Sequence, residues 1–127
     1  MAEQPRMTRS VKKDGVVVIT FLATHVGIDT EHQLRQELQE YIKGEDKPQV
    51  LIDLGDVSYV SSGPLGVLTA VERDVAERKG RLVFCALNAY VLETFRAAGL
   101  LRLFEVHENC EEAIASFTQP PGGTVAG

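Results

Sequence analysis

The fold is decided by residues 50–68, which read VLIDLGDVSYVSSGPLGVL. The segment opens with a mostly apolar run at 50–54, which is typical of a strand buried on both faces. It ends in an amphipathic helical pattern, and Ser61 and Ser62 lie between the two. At the start of a helix, backbone N–H groups lack partners and the helix dipole favours negative charge. A serine at this junction therefore either begins the helix or carries a phosphate.

The N-terminal part of the chain predicts a β-hairpin. Asp14-Gly15 is a strong turn signal, and it lies between a short edge strand at 8–11 and a β-branched apolar strand at 16–22. Further strands are predicted at 49–54 and 81–87, and a short strand or extended segment at 101–106.

Four helices are predicted from their end signals. Thr30 and Gln33 fit a capping box, in which the two side chains satisfy opposite backbone N–H groups. The second helix is expected to begin near Pro64, because proline is favoured at the first helical position. Asn88 and Asn109 are the expected N-caps of the last two helices. The order β-β-α-β-α-β-α-β-α predicts an α/β fold, with a mixed, mostly parallel sheet of about four to five strands flanked by about four helices.

Composition and charge exclude several classes of protein. The 127 residues suit one domain, which we expect to span 8–118, between a flexible N-terminus at 1–7 and a flexible Pro/Gly tail at 119–127. A net charge of −5 argues against a nucleic-acid binder. Because the sequence has neither a run of roughly 20 apolar residues nor a signal-peptide pattern, we expect a cytoplasmic protein that binds no membrane.

The sequence predicts no cofactor and no metal site. Three histidines are scattered along the chain, at His25, His32 and His107. Cys85 and Cys110 form no Cys-x-x-Cys motif, and a buried free thiol is expected at Cys85 because it lies in an apolar strand. Asp53 and Asp56 flank the end of a strand, where a cap or turn role is favoured because no third acid completes a metal set.

Residues 61–66 have a structural and a functional interpretation. In the structural one, Gly63 and Pro64 shape a tight strand-to-helix turn and a serine satisfies a free amide. In the functional one, a phosphate on Ser62 uses nearby amides, and Gly66 leaves the backbone open to approach. Neither a P-loop nor a nucleophile elbow is present in the sequence, so the chain is not predicted to be an enzyme.

Residues 50–68 resemble the core of the STAS domain, the fold of bacterial anti-sigma factor antagonists. The family pattern is an apolar strand ending in Asp-Leu, a Val-Ser-Phe/Tyr segment, then Asp-Ser-Ser/Thr-Gly-Leu-Gly and an apolar helix. Residues 88–104, NAYVLETFRAAGLLRLF, resemble the helix and turn that follow the family's fourth strand, and 111–114 match the start of its last helix. The resemblance covers roughly residues 16–117.

This resemblance implies a partner-switching regulator. In such proteins, the first serine after the Asp is phosphorylated by a partner that is both a kinase and an anti-sigma factor. In an ungapped register Ser61 takes the Asp position and Ser62 the phosphoacceptor position, with Ser61 as the second choice. Gly63 replaces the second Ser/Thr, and Pro64 replaces the Gly.

The resemblance also implies a docking surface and partners. The phosphosite loop and docking residues are expected to be Asp29, Asp56, Tyr59, Val60, Ser61, Gly63, Pro64, Leu65 and Gly66. The implied partners are a serine-kinase anti-sigma factor and a phosphatase, and the chain is expected to be a monomer or a weak dimer. Three alternatives stay open: a STAS scaffold that is not phosphorylated, a module that binds a small anion or nucleotide, and a small hydrolase, for which the sequence places no base near Ser62.

Overall fold

The computed structural model describes residues 5–118, so the expectations for 1–4 and for the tail at 119–127 lie outside the described residues. The strands are β1 (Thr8–Lys13), β2 (Val16–Phe21), β3 (His25–Val26), β4 (Gln49–Asp53), β5 (Tyr59–Val60), β6 (Arg81–Cys85) and β7 (Glu105–His107). The helices are α1 (Glu31–Ile42), α2 (Ser62–Glu77), α3 (Ala89–Ala97) and α4 (Cys110–Ser116), with 3₁₀ turns at Ile28–Thr30 and Leu100–Arg102. Within 5–118, none of the helices is both long and apolar enough to cross a membrane.

Five of the strands form one sheet in the order β1-β2-β4-β6-β7. The hairpin pair β1–β2 is antiparallel, and the other three pairings are parallel. The predicted α/β fold with a mostly parallel sheet flanked by four helices is therefore confirmed. Strands β3 and β5 were not predicted, and they pair with each other as a separate two-stranded parallel ribbon.

Each face of the sheet is covered by a different set of helices. Along β4, Val50 and Ile52 pack in the large core beneath α1, α2 and α3, whereas Leu51 packs in a smaller core beneath α4. Successive side chains of a strand point to opposite faces, so a buried central strand needs apolar residues in an unbroken run. Residues 50–52 are all fully buried, which accounts for the three consecutive apolar residues here.

Several predicted end signals are confirmed. Asp14 and Gly15 both have positive φ, 53° and 82°, as a type I′ hairpin turn requires. The Asn88 side chain accepts a hydrogen bond from Val91 N at 2.7 Å, and Asn109 caps α4 in the same way.

Two helix starts differ from the prediction. The Thr30 hydroxyl donates to Gly27 O at 2.6 Å instead of capping α1, and Gln33 Nε2 donates to Pro5 O at 2.7 Å, so the predicted capping box is wrong. Helix α2 begins at Ser62, two residues before Pro64. Proline is tolerated there because the N–H groups of the whole first turn lack intrahelical partners.

The two cysteines form a disulfide, so the expected free thiol at Cys85 is wrong. Cys85 ends β6 and Cys110 begins α4, and their Cα atoms lie 5.3 Å apart. No motif indicates this pairing, because the 25-residue separation is closed only by the packing of α4 on the sheet.

The buried carboxylate of Glu37 ties the N-terminal segment to α1. It accepts hydrogen bonds from Met7 N at 3.1 Å, from Thr8 N at 2.9 Å and from the Thr8 hydroxyl. Gln33 Nε2, one helical turn earlier, also donates to it at 2.9 Å. Since Met7 is only 6% exposed, the loosely tied N-terminus expected through residue 7 is wrong for this residue.

These hydrogen bonds decide the ionisation of Glu37. Burial alone would raise the pKa of its carboxyl group, because it penalises the charged form. The hydrogen bonds from Thr8, Gln33 and Met7 outweigh burial and hold the pKa below its usual value. A carboxyl group with a lowered pKa stabilises the fold above its unfolded-state pKa, and the contribution is lost as pH falls through the folded-state pKa.

We predict that Glu37→Gln lowers the free energy of unfolding by about 2–3 kcal/mol at neutral pH, because several donors lose a charged acceptor. The deficit should be smaller at an acid pH below the lowered folded-state pKa of Glu37, because the wild-type carboxylate is itself protonated there. Urea unfolding at the two pH values measures both effects. Glu40→Gln, on the exposed side of α1 beside Arg6, is the matched control and should cost under about 1 kcal/mol. An equal cost of Glu37→Gln at both pH values would contradict the role of the ionised carboxylate.

Candidate functional site

The candidate site is built on the turn that follows β4. Asp53 Oδ1 accepts a hydrogen bond from Gly55 N at 2.8 Å, which confirms the turn role expected for this carboxylate. Leu54 N donates to Cys85 O at 3.1 Å, so the chain leaves the sheet only after residue 54. The turn therefore begins at Leu54, which is fully buried and held by a backbone hydrogen bond to β6.

The chain then lies against residues 24–26 as it approaches α2. Ser58 N and Tyr59 N both donate to Thr24 O, at 2.7 and 3.2 Å, and Ser61 N donates to Val26 O at 3.0 Å. Val26 is itself fully buried. The parallel pairing of β3 with β5 thus fixes the backbone up to the residue before α2.

The two serines have different surroundings. Ser61 is the N-cap residue of α2, is half-buried, and has its hydroxyl 3.5 Å from Val26 O. Its side chain makes no capping hydrogen bond among the described residues. Ser62 is the first residue of α2 and is exposed. The structural interpretation, in which a serine here caps the helix, is therefore wrong for Ser61.

The other residues expected at the docking surface divide into exposed and buried groups. The exposed ones are Asp29, Asp56, Tyr59 and Gly66. Val60 and Leu65 are only 3% and 6% exposed and so offer almost no apolar surface. Pro64 is also buried. The side chains of Val60, Pro64 and Leu65 therefore lie under the loop and not on its surface.

An exposed row of rings lies beside this loop. The rings of Tyr59 and Tyr90 stack with centroids 6.0 Å apart, and His25 lies 6.0 Å from Tyr59 on the β3–β5 ribbon. Tyr59 and Tyr90 are 38% and 57% exposed. We call His25, Tyr59 and Tyr90 the aromatic row. The sequence did not single out His25 or Tyr90, because the row is assembled from three separate elements.

A carboxylate from α1 reaches the first turn of α2. The Glu31 side chain lies directly over Gly63, so that a Cβ at this position would overlap the carboxylate. Glu31 is the first residue of α1, and a negative charge at the start of α2 is stabilised by the helix dipole. An added Cβ at Gly63, where the STAS pattern has Ser or Thr, would therefore require the Glu31 side chain to move.

We predict that Glu31 and Gly63 are energetically coupled. Glu31→Gln should cost about 0.3–1 kcal/mol, because it removes a charge at a helix N-terminus. In a Gly63→Ala background, the added Cβ displaces the flexible Glu31 side chain, so Glu31→Gln should then cost almost nothing. Chemical unfolding of the four proteins in this double-mutant cycle measures the coupling.

Glu40→Gln removes a charge from the same helix away from Gly63, and its cost should be equal in the two backgrounds. An unchanged cost of Glu31→Gln in the Gly63→Ala background would contradict the contact.

Comparison with known proteins agrees with this architecture. The family model described as "Mlab, STAS domain" matches residues 10–105. A protein of Bordetella bronchiseptica named "Putative anti-sigma factor antagonist BtrV" is 36% identical over 107 residues, which cover 84% of this chain and 90% of that protein.

Solved structures show the same fold. An anti-sigma-factor antagonist (STAS) domain protein from Planctomyces limnophilus superposes with a TM-score of 0.79 at 20% identity, covering 86% of this chain and 95% of that one. The anti-sigma factor antagonist SpoIIAA in its unphosphorylated form superposes with a TM-score of 0.72 at 19% identity, covering 94% and 99%. With the family model and the Bordetella relative, these matches show that the chain belongs to the STAS domain family and, within it, to the anti-sigma factor antagonists.

Proposed function

We propose that this chain acts by partner switching in the cytoplasm. When Ser62 is unmodified, the protein binds a serine-kinase anti-sigma factor, and phosphorylation of Ser62 by that kinase releases it. A phosphatase resets the switch. The chain contributes no catalytic group of its own, because the kinase supplies the ATP and the chemistry.

The observation that carries this proposal is the exposure of Ser62 at the first position of α2. A phosphoacceptor must enter a kinase active site, which requires a hydroxyl that is accessible and held on a defined backbone. Ser62 meets both conditions, because hydrogen bonds to Thr24 and Val26 fix the backbone that precedes it. Ser61 is half-buried and meets the first condition less well.

The aromatic row supports the docking part of the proposal. Exposed tyrosines are frequent anchors of protein interfaces, since each offers a large apolar area and a polar end. Tyr59 is only three residues before Ser62, so a partner that covers the row also reaches the serine. Ile28, on the 3₁₀ turn before α1, is a further exposed apolar side chain, 71% exposed.

The charge of a phosphate on Ser62 explains why phosphorylation would weaken partner binding and not strengthen it. A phosphate on Ser62 adds about −1.5 to −2 charges near the start of α2, where the Glu31 carboxylate already lies against Gly63. The added charge makes this end of the helix strongly negative and costly to desolvate beneath a partner. Glu31 also brings a carboxylate to the helix end that has Ser61 where the family has Asp.

We predict phosphorylation of Ser62 when the purified protein is incubated with ATP and a lysate of its own organism. Phosphopeptide mapping should find the phosphate on Ser62 alone, and Ser62→Ala should abolish the labelling. Ser58→Ala is the matched control, because Ser58 is exposed in the same loop, and it should be labelled like the wild type.

Two results would contradict this prediction. The absence of phosphate in a lysate that labels another antagonist of this family would favour the non-phosphorylated scaffold. Phosphate on Ser61 alone would move the switch by one residue and contradict the assignment of Ser62.

A further inference from the structure

A second cluster of reactive side chains lies on the opposite face of the sheet from α1, α2 and α3. Asp53 and Cys85 are direct partners in the β4–β6 pairing. Because side chains along a strand alternate between the two faces of the sheet, both lie on the face that α4 covers. Cys110 is the first residue of α4. One carboxylate oxygen of Asp53 and the two Sγ atoms all lie within 4.8 Å of one another.

The two sulfur atoms are joined in the structure, and reduction frees them as ligands. A dithiol such as dithiothreitol supplies two electrons and two protons. The S–S bond breaks, each cysteine becomes a thiol, and the dithiothreitol closes to its cyclic disulfide. With Cα atoms 5.3 Å apart, both freed sulfurs can still reach one common point.

We propose that the reduced protein binds a thiophilic divalent cation, with Zn²⁺ as the best fit, through Cys85 Sγ, Cys110 Sγ and one carboxylate oxygen of Asp53. Each thiol loses its proton to the solvent as its bond to zinc forms. Zinc bonds of about 2.3 Å to sulfur place two sulfurs about 3.8 Å apart around a tetrahedral ion. The two sulfurs are bonded in the disulfide and must move apart after reduction to reach this spacing, which is still smaller than the 4.8 Å within which the three ligand atoms lie.

The chemistry of the donor set selects zinc over harder cations. Two thiolates favour soft or borderline metals, whereas Mg²⁺ and Ca²⁺ prefer all-oxygen ligands. Three protein ligands leave the fourth tetrahedral position for water. Cys85 is fully buried, whereas Asp53 and Cys110 are half-buried, so two of the three ligand residues are partly accessible to solvent.

The Asp53 carboxylate is already oriented toward this point. Its Oδ1 is held by Gly55 N at 2.8 Å, and a hydrogen bond of this kind fixes the geometry of a ligating carboxylate. Disulfide formation withdraws both sulfur ligands together. The metal-bound and the disulfide forms are thus mutually exclusive, and neither depends on phosphorylation of Ser62.

The test uses the full chain, reduced with dithiothreitol and desalted without oxygen. Titration with Co²⁺ should give a sulfur-to-cobalt charge-transfer band that saturates at one ion per chain, and Zn²⁺ should displace the cobalt. The oxidised protein and Cys110→Ser should not develop the saturating band. Asp53→Asn should weaken binding at least tenfold, because the amide ligates poorly although its oxygen can still accept from Gly55 N.

Asp56→Asn is the matched control, since it removes a nearby exposed carboxylate, and it should bind Co²⁺ like the wild type. Thermal unfolding of each variant shows that it is folded. The proposal is overturned if the reduced protein, with two titratable thiols, binds neither ion. It is also overturned if Asp53→Asn and Asp56→Asn bind with equal affinity.

Discussion

The central strand β4 is the constraint on which the rest of the structure depends. Residues 50–52 are fully buried, and the strand pairs in parallel with β2 on one side and β6 on the other. A parallel strand in this position cannot shift its register by one residue without turning a buried row toward the wrong face. The end of β4 is thereby fixed, and so is the loop that leads to α2.

The position of β4 separates two kinds of chemistry at one edge of the sheet. On the side of α1, α2 and α3, the loop carries the exposed Ser62 and the aromatic row, and these groups suit contact with another protein. On the side of α4, Asp53 meets the two cysteines, and these groups suit a small cation or a disulfide. Both sets rest on the same rigid strands, although the loop residues themselves are accessible, as is usual for recognition sites.

Local signals in the sequence were sufficient wherever the structure uses local interactions. Asp14-Gly15 and Asn88 perform the turn and cap roles expected of them. The capping box failed because Gln33 bonds to Pro5 O and Glu37, both outside the helix start. Capping is a weak local preference, and here the Gln33 amide instead makes a tertiary hydrogen bond to Pro5 O and a bond within α1 to Glu37, one helical turn later.

Features assembled from distant segments could not be predicted in this way. The β3–β5 ribbon has only two residues in each strand, which is too short for any periodic pattern. The Glu31–Gly63 contact and the disulfide each join elements whose proximity follows from the packing of α1 and α4. The family resemblance supplied Ser62 as a candidate, whereas the structure supplied its exposure and the half-burial of Ser61.

The central claim is that the charge state of Ser62 decides whether a kinase partner stays bound. The most direct measurement compares two immobilised proteins, one with serine and one with phosphoserine incorporated at position 62, in a lysate of the protein's own organism. The account predicts that an ATP-binding serine kinase is retained by the unmodified protein and lost from the phosphoserine form. Equal retention of that kinase by both proteins would contradict it.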